Sequence, residues 1–347
     1  MKKKYILNIL RHFVIWTVAL IIWAVMRNFG QEVDSAYNKL SWGQRITVHS
    51  LFGLIAGVVF GALEILFEKY VFRHVRLGTA IGLASFCYLA SVFIIISLGI
   101  LFFSNVVERN VYFDLLFSDQ ILLLTLYFFA VLSFTSFFRE IDKKFGKGNL
   151  WKMLRGEFYY PKEENRIFMF LDLKSSTAIA ESIGHIVYSK FIQECFKDLA
   201  VVDQYDAELY QYVGDEAVLT WKTKKGLKNE NCIRAFYAFK NRLQSKEELY
   251  LKKFGVTPDF KAGLHVGKII TAEVGEIKRE IAYHGDTINT AARIQEKCNI
   301  LGKELLLSKE LKNSLSTTTK DFKFIYEGEI LLKGKTQEIK LYSLIKN

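Results

Sequence analysis

The chain is 347 residues long, enough for two or three domains, and its 51% hydrophobic and 15% aromatic content exceeds that of an ordinary soluble protein. Its formal net charge is +11, yet the basic residues flank long apolar stretches instead of forming one basic and aromatic stripe, which argues against nucleic acid and for a membrane. The four cysteines, Cys87, Cys195, Cys232 and Cys298, are scattered without a CxxC pair, so neither a zinc site nor a disulfide framework is indicated.

Apolar residues dominate up to Phe138, where the composition changes. Four stretches approach the ~20 residues needed to cross a ~30 Å hydrocarbon layer as helices. They run from Tyr5 to Met26, Val48 to Phe67, Leu77 to Phe103 and Ile121 to Phe138. Arg11 and His12 interrupt the first near its start, where long side chains reach the interface. "MKKK" fits the start of a signal peptide, but bulky Trp23, Met26 and Arg27 follow where small residues would mark cleavage, so a retained span is expected. Lys2 to Lys4, Lys69, Arg73, Arg76, Arg139, Lys143, Lys144, Lys147 and Lys152 fall on one side of this bundle. The other side offers mainly Arg27, Lys39, Arg45 and Arg109. The positive-inside rule predicts a multi-pass protein of the cell membrane with both termini in the cytoplasm. Glu64 is the one acid within a predicted span, and its place near the cytoplasmic end predicts a snorkelling or interfacial role.

The expected organisation is a four-helix transmembrane region at 1–138, a cytoplasmic linker at 139–164 and a globular domain at 165–347. The linker, "REIDKKFGKGNLWKMLRGEFYYPKEEN", reads either as a short helix transmitting a twist or as a tether lying on anionic lipid.

Beyond it, "RIFMFLDL" is a nearly continuous apolar run suited to a central strand. A helical pattern follows from Ser175 to Tyr205, with Ile179, Ile183, Val187, Phe191, Cys195 and Leu199 on one side. "AELYQYVGDEAVLTW" is two alternating runs around a Gly-Asp-Glu tip, a β-hairpin. A helix from about Asn229 to Leu251, a strand in "DFKAGLHVGKIITAEVG" and a helix in "GDTINTAARIQEKCNILG" complete the reading. Strand, helix, two strands, helix, strand is the ferredoxin-like βαββαβ order, so the fold class is α+β behind an all-α membrane region.

In that topology the first strand ends at Asp172, beside the hairpin tip that carries Asp215. Two carboxylates brought together without a cation would repel, and one would take up a proton. With Mg²⁺ or Mn²⁺ between them and a nucleotide's phosphates, both stay ionised as hard oxygen ligands. Glu216 reads as the start of the outgoing strand.

The segments "FLDLKSST", "YQYVGDE", "GLHVGKI", "GDTINTAARI" and "LLKGK", in this order and spacing, resemble the class III adenylyl and guanylyl cyclase family over roughly Asn165 to Ile345. The resemblance implies a homodimer with two metal ions per site, held by Asp172, Asp215 and the main-chain carbonyl of Leu173. Asn289 and Arg293 of the other subunit would position the ribose and stabilise charge on the reacting phosphate. Their spacing of four puts both on one helix face. Lys333 matches a lysine that reaches the triphosphate. The implied reaction closes a nucleoside triphosphate to its 3′,5′-cyclic monophosphate and releases pyrophosphate.

The chain departs from the family at three places. Ser175 replaces the usual glycine of the first motif, a change expected to cost little. The two base-recognition positions hold Gln211 and Ala282, where adenylyl cyclases typically have lysine and aspartate and guanylyl cyclases glutamate and cysteine. Gln211 can donate and accept, so it suits either purine, whereas Ala282 has no polar side chain. ATP is favoured as the commoner substrate in bacterial-type members, with GTP and a pyrimidine nucleotide open. Two other readings are a diguanylate cyclase, which gives the "GDTINTAARI" helix no evident role, and a catalytically inactive membrane signalling protein, against which Asp172, Asp215, Asn289 and Arg293 all stand intact.

Overall fold

The computed structural model describes residues 2–26, 41–70, 79, 82–83, 86–97, 119–146, 148–277, 279–315, 321–331 and 338–346. The chain divides into two compact units, Met1–Glu140 and Ile141–Asn347.

In the first unit α1 (Lys2–Met26) packs against α2 (Trp42–Tyr70), and α3 (Asp119–Phe145) carries the chain on into the second unit. Among the described residues three helical segments are long and apolar enough to cross a membrane: Asn8–Met26, Trp42–Phe67 and Ile121–Phe138. Of the predicted stretch from Leu77 to Phe103, the described part includes a shorter apolar helix, Phe86–Ser97, and much of the rest lies outside the described residues. Leu51, Phe52, Leu122, Leu123, Phe134 and Phe137 are each more than half exposed, so large apolar side chains lie on the outer surface of these helices. Inside, the Trp16 ring stacks on Phe60 at 4.6 Å and on Phe128 at 4.9 Å.

A seam of small residues sets the approach of α1 to α2. A Cβ added at Gly53 or Gly57 would lie 2.6 Å from the Cα of Thr17 or Phe13 respectively, so only glycine lets the two backbones meet. Gly57→Leu is expected to force the helices apart and cost about 1–3 kcal/mol, the usual penalty of overpacking. The check is thermal unfolding of the detergent-solubilised chain, where an unchanged midpoint would contradict the seam.

Glu64 differs from its predicted interfacial role. It is 1% exposed, accepts a hydrogen bond from Arg11 Nη2 at 3.2 Å and pairs with buried His12. The glycine seam draws α1 over this carboxylate, and a charge removed from water needs partners. The two basic residues that interrupt the first apolar stretch supply them.

Among the described residues the second unit is built on an eight-stranded sheet in the order β2-β3-β1-β4-β6-β8-β7, with β5 paired to β4 off this path. The strands are β1 (Lys162–Leu173), β2 (Glu208–Val213), β3 (Glu216–Lys222), β4 (Phe260–Val274), β5 (Glu280–His284), β6 (Leu305–Ser308), β7 (Phe322–Leu331) and β8 (Glu338–Lys346). The first four are antiparallel neighbours in the order β2-β3-β1-β4, with helices between β1 and β2 and between β3 and β4. This is the predicted ferredoxin-like βαββαβ core. The remaining strands extend it: β6 joins β4 in parallel, and β8 and β7 follow antiparallel.

The one long helix predicted after β1 is two, α4 (Ser176–Ile183) and α5 (His185–Leu199), because Gly184 leaves helical geometry with φ 79°. The next predicted helix is likewise two, α6 (Asn231–Gln244) and α7 (Glu247–Phe254), and α8 (Asp286–Ile300) follows β5.

Alternation along β1 decides which side chains meet which layer. Ile167, Met169, Leu171 and Leu173 join Phe191, Cys195, Phe236, Phe239 and Tyr250 in the main core. Each such fully buried aliphatic or aromatic side chain contributes roughly 1.5–3 kcal/mol. Phe168 belongs to the opposite face with Val218, Ile269 and Ala291 of α8, and Tyr210 and Tyr283 pack against them. Asp172 shares the parity of Phe168, so its side chain emerges on the face covered by α8. Gly263 of β4 makes that cover close: a Cβ there would lie 2.2 Å from the main-chain nitrogen of Gln295.

Candidate active site

Asp172 is the penultimate residue of β1, with Glu216 of β3 as its register partner on one side and Lys261 of β4 on the other. Cross-strand neighbours of this kind interact directly. Lys261 Nζ lies 3.2 Å from Asp172 Oδ2, and Gln295 Nε2 donates to the same oxygen at 2.9 Å. Both donors are buried. Burial raises the Asp172 pKa first, the contacts with Lys261 oppose that rise, and the negative charge of Asp215 adds to it.

Asp215 stands half-buried at the tip of the β2–β3 hairpin, after Gly214 with φ 62°. Its charge is felt by Asp172, by Glu216 and by Tyr188 of α5, whose hydroxyl interacts with both Ser176 and Asp215. Burial, and then Asp172 and Asp215, push Glu216 up to about 7. Burial and Asp215 likewise push Tyr188 up to about 12. The fold therefore gathers three carboxylates at one end of the sheet, where burial first, and then the neighbouring negative charges, make Asp172 and Glu216 harder to ionise.

Among the described residues no group of three or more His, Cys, Asp or Glu side chains forms a protein-only metal cage. The donor set fits instead a hard cation that takes one or two carboxylates and completes its shell with phosphate oxygens, the habit of Mg²⁺. A cation there would offset the negative charge that adds to burial in raising the Asp172 and Glu216 pKa values.

Leu173 closes β1 with its side chain in the main core. The loop after it is tied down by Lys174, whose amide donates to the Asp259 carbonyl at 2.9 Å and whose Nζ pairs with the Asp259 carboxylate at 2.7 Å. Ser175 adopts the left-handed conformation, φ 55° and ψ 32°, immediately before α4. This accounts for the glycine expected at that position and corrects the reading of serine as nearly free. A non-glycine residue held there costs roughly 1–2 kcal/mol. Ser175→Gly is expected to recover about 1 kcal/mol of that, seen as a raised unfolding midpoint. A lower midpoint would mean that the serine hydroxyl matters more than the backbone.

Helix α8 has two chemically distinct faces. Thr287, Thr290, Ala291, Ile294, Gln295 and Cys298 are buried against the sheet. Asn289 is exposed, and Arg293 is half-exposed and paired with Glu296 at 2.6 Å. Asn289 and Arg293 thus share the outward face, while Gln295 on the inward face holds Asp172. Glu296, the ion-pair partner of Arg293, also adds its negative charge to those acting on Glu216, so this part of α8 lies within electrostatic reach of the acids.

Gln211 is exposed on β2 in register with Val218, and Ala282 lies on β5 in register with Ala272. The rings of their sequence neighbours Tyr210 and Tyr283 are 4.8 Å apart, so the two positions flank one contact between β2 and β5. Buried Arg166 braces it from below, pairing with Glu164 and Glu208 and lying 4.9 Å from the Tyr283 ring. Lys333 lies outside the described residues.

Lys261, Gln295 and Tyr188 were invisible to motif reading as members of this cluster. Lys261 reaches Asp172 only through the β1–β4 register, and Tyr188 only through the break at Gly184. Gln295 had one available signal, its place two residues after Arg293 on the face turned away from it.

Residues 158–346 match the adenylate and guanylate cyclase catalytic domain. The chain is 31% identical over 212 residues to adenylate cyclase 2 of Rhizobium meliloti (strain 1021), covering 60% of this chain and 57% of that protein. It is 24% identical over 197 residues to the guanylate cyclase soluble subunit beta-2 of Rattus norvegicus, covering 56% and 27% respectively. The chain thus spans little more than half the length of the first relative and about a quarter of the second. The structure of a bacterial light-regulated adenylyl cyclase shares the fold, with a TM-score of 0.54 at 17% identity over 66% of each chain. Matched over more than half its length, this chain belongs to the family of adenylate and guanylate cyclase catalytic domains.

Proposed function

We propose that this protein is a membrane-anchored class III nucleotidyl cyclase that converts ATP to 3′,5′-cyclic AMP and pyrophosphate at the interface of a homodimer. The observation that carries this reading is the gathering of Asp172 and Asp215 at the end of β1, with Asn289 and Arg293 turned outward on the helix behind them. Exposed Asn289 and half-exposed Arg293 do not pack into the core of their own chain, which supports a site made from the acids of one protomer and the helix face of its partner.

In this mechanism Asp172, Asp215 and the Leu173 carbonyl would hold two Mg²⁺ or Mn²⁺ ions. When bound, such ions would supply a lowered pKa at the 3′-hydroxyl and charge neutralisation at the triphosphate. Asn289 orients the ribose so that its 3′-oxygen lines up with the α-phosphate. Arg293 stabilises the charge that develops as the bond to pyrophosphate lengthens. Lys333 belongs to this proposal as a triphosphate contact.

ATP is favoured because the more similar relative is named an adenylate cyclase, and Gln211 can pair with an adenine edge. The apolar outer surface of the first unit and the basic residues beside its spans support a multi-pass anchor in the cell membrane with cytoplasmic termini. The test is to incubate the purified full chain with Mn²⁺ and each of the four ribonucleoside triphosphates and identify products by mass spectrometry. Cyclic AMP from ATP is expected. A linear or cyclic dinucleotide, or no cyclic product from any substrate, overturns the assignment.

A further inference from the structure

We infer that Gln295 is the positioning residue for the Asp172 carboxylate, and that through it helix α8 couples the two active sites of a dimer. This rests on the shared-site reading above. Gln295 Nε2 and Lys261 Nζ converge on one oxygen, Asp172 Oδ2, at 2.9 and 3.2 Å. Two donors on Oδ2 fix the carboxylate plane and leave Oδ1 as the oxygen for a cation.

Gln295 has little freedom of its own. It is 4% exposed, and its main-chain nitrogen sits directly over Gly263 of β4. Its amide therefore goes where α8 goes. The same helix carries Asn289 and Arg293 on the opposite, outward face. A shift or rotation of α8 that brings Arg293 to a nucleotide held by the partner necessarily moves the donor on the chain's own Asp172. Packed side chains and a rigid helix are the physical link that inter-site coupling requires. Each site then senses whether its twin is filled, without any separate effector site.

The first test needs no turnover. Mn²⁺ binding to the full chain in detergent, without nucleotide, is followed by electron paramagnetic resonance. Gln295→Met keeps the side-chain length but removes the donor, and it is expected to weaken Mn²⁺ binding about tenfold, the worth of one charge-assisted hydrogen bond. Gln295→Asn, which keeps the amide but withdraws it by one methylene, is expected to act in the same direction. Unchanged Mn²⁺ affinity in both variants overturns the positioning role.

The second test uses a heterodimer of an Arg293→Ala chain with an Asp172→Ala chain, whose working site takes Asp172 from the first and Arg293 from the second. At Mn²⁺ below half-saturation, Gln295→Met in the first chain should lower activity at least about fivefold more than the same change in the second. Equal losses in both placements, whether from chemistry or misfolding, overturn the inference. A parent heterodimer with no activity removes the shared site and the coupling with it, while the Mn²⁺ titration still decides the role of Gln295.

Discussion

Asp215→Ala is expected to reduce cyclic nucleotide formation by at least about 10³-fold, and Asp172→Ala by as much or more, because under the proposed mechanism each removes a negative ligand for divalent cations. The two variants differ in what else they disturb. Asp172 neutralises buried Lys261 and receives the Gln295 amide, so its removal strands a cation and a donor inside the protein. Stranding one partner of a buried pair costs about 3–5 kcal/mol, which lowers the unfolding midpoint. Asp215 stands at a half-buried hairpin tip and is the cleaner probe. Asp172→Asn adds a useful third case, since it keeps the side-chain volume and one acceptor oxygen while halving the ligand charge. Initial rates with Mn²⁺ and ATP, beside melting curves, separate the effects. Near-normal turnover by a folded Asp215→Ala enzyme would falsify the metal assignment.

Arg293→Ala is expected to cost about 10²–10³-fold in turnover with almost no loss of stability, by analogy with other arginines that stabilise charge in phosphoryl transfer. Its contact with Glu296 is a half-exposed pair one helical turn away, and such pairs contribute about 0–1 kcal/mol. A large kinetic effect without a shift in melting therefore separates a role across an interface from a role in the fold. Mixing Arg293→Ala chains with Asp172→Ala chains then tests whose site the arginine serves. Random pairing makes half the dimers mixed, and each mixed dimer has one intact site of two, so about a quarter of wild-type activity should return. No recovery in a verified heterodimer means that each chain builds its site alone.

The order of strands and helices in the second unit was legible because its signals are short-range. The alternating runs around Gly214, the apolar run ending at Asp172 and the Asn289 to Arg293 spacing are each contained within one element. The meeting of Asp172 with Asp215 also follows, since the βαββαβ order alone puts both at one end of the sheet. Helix lengths were less legible: a 3.6-residue pattern continues through Gly184, and only the backbone there shows the break. In the first unit apolar length was readable, but the fate of Glu64 was not. A carboxylate near a helix end looks interfacial until the glycine seam is seen to bring Arg11 and His12 onto it.

By itself, then, the order of residues determined the α+β class, the apolar segments and the carboxylates at the end of the first strand, because periodicity and turn chemistry act within a few residues of their source. The tertiary structure alone decided that Lys261 and Gln295 grip one oxygen of Asp172, that Ser175 is left-handed and that Glu64 is buried. Those facts depend on strand register and on the closeness of packed backbones, which couple positions as far apart as Asp172 and Gln295 and leave no mark on either local pattern.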